Sequence, residues 1–152
     1  LLTKDSRMSF KLGIIGAGGI ANAHAAAAKD SAGRVEIVAV ADMNADAARK
    51  FAEANGARAF ESVDALIAGA RAAGVQGLVV ATPPSARLSI VAAALKAKLP
   101  VMTEKPIAHT LADAKKLDAL AKKSRKVVTA IGYCHRFTPA VLKMKDLIAQ
   151  GK

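Results

Sequence analysis

Short apolar runs and amphipathic stretches alternate along this chain from residue 10 to its end. FKLGIIG (10–16), VEIVAVA (35–41), ARAF (57–60), GLVVA (77–81), PVMTE (100–104) and VVTAIGY (127–133) have strand length, and most are rich in β-branched residues. Between them lie runs of good helix formers: GGIANAHAAAAKD, ADAARKFAEANG, SVDALIAGARAAG, SARLSIVAAALKAKL and TLADAKKLDALAKKS. A further amphipathic run, TPAVLKMKDLIAQG, trails the last strand, with Pro139 in its first turn. End signals support these bounds. Asn44 stands as an N-cap and Gly56 as a C-terminal stop for the second helix. Thr110 caps the fifth, with Asp113 three residues on in a capping-box-like start. In the fourth, Leu88, Val91, Ala92, Leu95 and Leu99 share one helical face.

The pattern predicts six strands joined by five helices, with a trailing helix. The strands are near-continuously apolar, as in sheets covered on both faces. Strict alternation of strand and helix then implies an α/β fold with a parallel, doubly wound six-stranded sheet. No repeat, low-complexity segment or internal linker interrupts it.

Composition narrows the picture. At 152 residues the chain has the length of about one domain. Hydrophobic residues make up 53% but aromatics only 3%, because many of the apolar positions are alanines, which let helices sit close to a sheet. The single Cys134 cannot form an internal disulfide, which points to a reducing compartment. No apolar run approaches the ~18 residues of a membrane span. LLTKDSR, ahead of Met8, lacks the apolar stretch of a signal peptide and reads as added or upstream-translated sequence. A cytoplasmic protein is expected, with no membrane partner. The net charge is +11, and from Lys96 to Lys152 there are 13 Lys and Arg against 4 Asp and Glu. The basic run KKLDALAKKSRK has no aromatic residue to stack on a base, so it reads as a solvated helix face rather than a nucleic-acid surface.

Candidate chemistry collects at the ends of strands. Gly16-Ala17-Gly18-Gly19-Ile20-Ala21 joins the first strand to the first helix in the G-x-G-x-x-A form of the dinucleotide fingerprint. Gly16 allows the tight turn. Gly18, without a Cβ, lets a pyrophosphate approach the backbone, and Ala21 permits close helix–sheet packing. The helix N-terminus, which includes Gly19 and Ile20, offers N–H groups and a partial positive charge to the phosphates. Asp42 ends the second strand, where such sites place an acid for the ribose hydroxyls; it favours NAD over NADP by repelling a 2′-phosphate. A helix-capping role for Asp42 is the alternative. Arg49 and Lys50 would soften the discrimination if they turned toward the ribose. Thr82-Pro83-Pro84 follows the fourth strand and Glu104-Lys105-Pro106 the fifth, so both belong to the edge at which open α/β sheets bind ligands. Lys105 there can orient or deprotonate a hydroxyl; a solvated loop lysine is the plainer alternative. Glu104 is expected to bond local backbone or ribose.

The histidines carry less. His24, on the first helix, reads as a packing or surface residue and His109 as solvated, whereas His135 lies on the ligand edge. Cys134 beside it makes no nucleophile–base pair. No set of residues has metal-ligand spacing, so no metal is expected.

GAGGIANAH, the strand ending in Asp42, ATPPSAR, VMTEKPIAHTLADA and IGYCHRFTPAV occur in an order that resembles the Gfo/Idh/MocA oxidoreductases, from about Lys11 to Gly151. The resemblance implies an NAD(P)-binding Rossmann domain. In it Gly16, Gly18 and Ala21 meet pyrophosphate, Asp42 meets ribose, Thr82 and Pro83 line the cleft, Glu104 and Lys105 sit by the nicotinamide, and Lys105 is the active-site lysine. It further implies hydride transfer between NAD and a hydroxyl or carbonyl of a sugar, cyclitol or polyol, with a homo-oligomer as an open expectation. The alternative is a stand-alone dinucleotide-binding module without catalysis. Three positions depart from the family's usual pattern: Pro84 stands for asparagine, Arg87 for histidine, and Cys134 for asparagine. The expected organisation is a leader over 1–9, the cofactor domain over 10–136, and over 137–152 a crossover helix toward an absent C-terminal α/β substrate domain.

Overall fold

A computed structural model describes residues 9–152; the leader up to residue 8 lies outside the described residues. The strands are β1 (Phe10–Ile15), β2 (Val35–Ala41), β3 (Arg58–Phe60), β4 (Gly77–Val80), β5 (Val101–Thr103) and β6 (Thr129–Ile131). The helices are α1 (Gly19–Lys29), α2 (Ala45–Asn55), α3 (Val63–Gly69), α4 (Arg87–Lys96), α5 (Leu111–Lys123) and α6 (Pro139–Ala149). All the strand pairs are parallel, in the order β3-β2-β1-β4-β5-β6. This is the doubly wound order of the Rossmann fold, with the switch point between β1 and β4.

Side-chain alternation splits the core into two layers. Ile14, Val40 and Val79 pack with Ala21, Ala25, Ala28, Phe51 and Ala52 of α1 and α2. Ile15, Ala41, Leu78 and Val80 pack on the opposite face with Leu66, Ile90, Val91, Ala94 and Leu95 of α3 and α4. Ile37 and Val40 serve the same layer despite their odd spacing, because the β1–β2 register shifts between Leu12 and Gly13. Ala21, Ala25 and Ala28 form the buried stripe of α1.

The end signals hold. The Asn44 side chain accepts from the N–H groups of Asp46 and Ala47, and Gly56 takes φ +64°. Thr110 accepts from Asp113 N–H. Three expectations need correction. The third helix stops at Gly69, not Gly74, and the remainder is a turn ended by Gly74 at φ +73°. The fourth begins as a 3-10 turn over Pro84–Ala86, and its buried face is Arg87, Ile90, Val91, Ala94 and Leu95, leaving Leu88 and Ala92 half-buried. β6 is not covered on both faces: all three of its residues are exposed, and no residue of α6 is buried. Phe137, ahead of α6, and Ile148, within it, each stand 70% exposed. A groove of about 490 Å³ separates β6 from α5, with Thr103, Leu117, Ile131 and Tyr133 in its wall.

Candidate cofactor and active site

Parallel strands deliver their carboxyl ends to one edge. There the turn after β1 carries Gly16 to Ile20, β2 ends at Asp42, and the turns after β4 and β5 carry Thr82-Pro83 and Glu104-Lys105.

The glycines divide by role. Gly16 takes φ +97°, and a Cβ there would lie 3.0 Å from the carbonyl carbon and oxygen of Ala81. The fold itself requires that glycine. A Cβ on Gly18 or Gly19 would meet nothing within 4 Å, and Gly18 has an extended backbone open to any residue. The fold does not require Gly18: the space a Cβ would take there is open. The N–H groups of Gly18, Gly19 and Ile20 make no hydrogen bond among the described residues. Helices α2, α3 and α5 each have a side-chain N-cap and an acid in the first turn, whereas α1, α4 and α6 have neither. A helix start with free donors and no acid of its own suits an anion.

Asp42 fastens this turn. Its Oδ2 accepts from Ala17 N–H at 2.7 Å and its Oδ1 from Asn44 N–H at 2.7 Å. A carboxylate has about four acceptor sites, so two remain for a diol. Both sequence readings of Asp42 are therefore compatible: it orders the start of α2 and still faces the glycine turn. Arg49 is engaged by Asp46 rather than turned to Asp42. Thr82 Oγ1 is buried without a hydrogen-bond partner. The open space over Gly18, the free N–H groups and this orphaned hydroxyl fit a dinucleotide.

At the end of β5, Glu104 is only 6% exposed. Its Oε2 accepts from Lys105 N–H at 3.2 Å, and its Oε1 lies 2.9 Å from His24 Nε2. His24 is therefore the partner of a buried carboxylate, not simply a packing residue. A Cβ on Gly132, after β6, would come within 2.9 Å of Glu104 Oε1, so that glycine admits the carboxylate. The Lys105–Pro106 peptide is cis. Lys105 itself is exposed, and no hydrogen bond from its amine is found among the described residues.

Sequence reasoning gave Arg87 no role beyond a departure from pattern. It is 4% exposed. Nε and Nη2 donate to the Thr82 carbonyl at 3.0 and 2.7 Å, and Nη1 donates to the carbonyls of Glu104 and Pro106. Burial pushes its pKa below the ordinary range, and the nearby Glu104 charge pushes it back up. A signal existed: Arg87 occupies the apolar face shared by Ile90, Val91, Ala94 and Leu95, where a lone charge needs a reason. His135, Cys134 and His109 are exposed. Among the described residues no cluster could hold a metal ion, and no helix is long and apolar enough to cross a membrane.

A family model described as "Oxidoreductase family, NAD-binding Rossmann fold" (GFO_IDH_MocA) matches residues 10–132. The chain belongs to the Gfo/Idh/MocA oxidoreductase family. Within this family it is 37% identical over 142 residues to the rhizopine catabolism protein MocA of Rhizobium meliloti, covering 93% of this chain and 43% of that protein. It is 33% identical over 141 residues to an inositol 2-dehydrogenase of Rubrobacter xylanophilus, covering 92% and 40%. The solved WlbA dehydrogenase of Bordetella pertussis, in complex with NADH and UDP-GlcNAcA, superposes with a TM-score of 0.86 at 26% identity, covering 94% of this chain and 42% of that one. The chain thus spans about two fifths of the length of these Gfo/Idh/MocA relatives.

Proposed function

We propose that this chain is the NAD-binding half of a cytoplasmic dehydrogenase acting on a hydroxyl of a sugar, cyclitol or related polyol. The observation that carries the reading is the edge where α1 presents three free N–H groups over an open glycine, with Asp42 at the end of the adjacent strand β2 and Lys105 after β5, beyond β4 on the other side. Gly16, Gly18, Gly19, Ile20 and Ala21 would hold the pyrophosphate, Asp42 the adenosine ribose, and Thr82, Pro83, Glu104 and Lys105 the nicotinamide side. The Asp42 carboxylate disfavours a 2′-phosphate, which supports NAD over NADP.

Bound NAD supplies the acceptor for a hydride. The chain's own part is to handle the proton: a carbinol gives up hydride only as its hydroxyl proton departs. Lys105, on an exposed turn beside a buried carboxylate, places an amine where it can orient that hydroxyl and share its proton. The inositol 2-dehydrogenase relative and the sugar-nucleotide ligand of the WlbA dehydrogenase support polyhydroxylated substrates. The exposed apolar surface of β6 and α6 supports a further domain packing there in the longer protein, with 137–152 as its crossover helix. Calorimetric titration with NAD and NADP at one salt concentration tests the cofactor reading. NAD should bind more tightly, and equal or tighter NADP binding contradicts it.

A further inference from the structure

Arg87 opens α4, and three facts about it do not fit a residue kept for stability. It is buried, with 4% of its surface exposed. It is a cation in the first turn of a helix, where the macrodipole is unfavourable to positive charge. Its hydrogen-bond partners are neutral carbonyls, which hold its N–H groups without neutralising it, and the opposite charge near it is the Glu104 carboxylate. The partners share one property. Thr82 lies in the turn after β4, and the other two carbonyls belong to Glu104 and Pro106, the residues on either side of Lys105.

From this bracketing we infer that Arg87 is the positioning residue of the active-site lysine, its planar fork clasping the Thr82 turn to the Glu104–Pro106 turn so that Lys105 projects from a fixed backbone. The inference rests on the proposed role of Lys105. The fork explains the residue type. Guanidinium offers five N–H donors in one plane and can span two turns, whereas a lysine ammonium is a single point with three donors. Glu104 completes the arrangement from the other side: its carboxylate accepts from Lys105 N–H and faces His24. Lys105 therefore has both flanking carbonyls and its own N–H held, while its side chain stays free.

The test uses the protein of which this chain is proposed to be the NAD-binding half, and compares Arg87→Ala, Arg87→Lys and Lys105→Met with the unaltered protein. Steady-state kinetics, NAD affinity and amide deuterium exchange are read for each. Arg87→Ala should lower kcat by about 10²-fold, the scale of a misplacement near 1 Å, with NAD affinity within a few-fold. Exchange should quicken in peptides covering 82–86 and 103–108. Added guanidinium should restore part of kcat in Arg87→Ala and none in Lys105→Met. Arg87→Lys, which keeps a cation but not the fork, should resemble Arg87→Ala, and it carries the comparison should Arg87→Ala fail to fold. Unchanged kcat, or a loss of kcat without faster exchange in those two peptides, overturns the clasp. Full activity in Lys105→Met overturns the reading of the lysine instead, and with it the positioning role; exchange then still reports whether Arg87 joins the two turns.

Discussion

His24 Nε2, on α1, lies 2.9 Å from Glu104 Oε1 at the end of β5, joining residues 80 positions apart. An ionised carboxylate only accepts, so the Nε2–H tautomer of His24 is the one that serves an ionised Glu104. Glu104 is buried, so loss of this donor leaves an acceptor short of a partner. His24→Ala should destabilise the protein by about 1–3 kcal/mol, the usual cost of an unsatisfied buried group. His24→Gln, which keeps a donor, should cost less. Urea unfolding of both variants checks this; equal stability of His24→Ala and the parent would mean that the contact carries no weight.

The two glycines should separate fold from ligand. Gly16→Ala meets the Ala81 carbonyl group and a positive φ, so it should lower stability by more than about 1 kcal/mol. Gly18→Ala meets nothing within 4 Å. It should leave the unfolding midpoint unchanged while weakening NAD, because the added methyl enters the space reserved for phosphate. A Gly18→Ala protein that binds NAD normally would show that the open space is not the phosphate site.

Asp42→Ala should weaken NAD roughly 10- to 150-fold, the equivalent of a charged hydrogen bond of about 1.5–3 kcal/mol. NADP should lose far less, since the repulsion of its 2′-phosphate disappears together with the hydrogen bond. Parallel calorimetry with both nucleotides reads the ratio. An unchanged ratio would leave Asp42 only its contacts with Ala17 and Asn44.

What the sequence revealed follows the range of the forces involved. β2 is readable over Val35–Ala41 because its run is apolar at every position but Glu36, and α2 because Asn44 and Gly56 punctuate both ends. The glycine turn, Asp42 and the two proline turns were legible because each sits next to a strand end, and parallel topology alone then brings them to one edge. The third helix was read too long because ARAAG is made of helix formers, and a turn closed by Gly74 outweighs their weak propensity. β6 was read as covered because its residues are apolar, but what covers a strand is not written in the strand. The His24–Glu104 contact and the Arg87 clasp depend on which loops meet in space, and no local pattern reports that.

The basic face of α5 is solvated, with Lys122 paired to Asp118 at 2.6 Å and Lys116 to Asp113 at 3.5 Å. DNA and RNA should therefore bind weakly and without sequence preference, and fluorescence anisotropy across a salt series should show binding collapsing by physiological ionic strength. A sequence-specific complex that survives there would contradict the solvated-face reading.

The central claim is that Lys105 handles the substrate proton at an NAD site. The most direct measurement is NADH formation by the protein of which this chain is proposed to be the NAD-binding half, and by its Lys105→Met variant, across a panel of sugars and inositols. Turnover is expected with at least one of them, and kcat should fall by about 10²–10⁴-fold in Lys105→Met, the range of general acid–base catalysis, with NAD affinity held within a few-fold. Undiminished turnover by Lys105→Met would contradict it and return Lys105 to the status of a surface lysine.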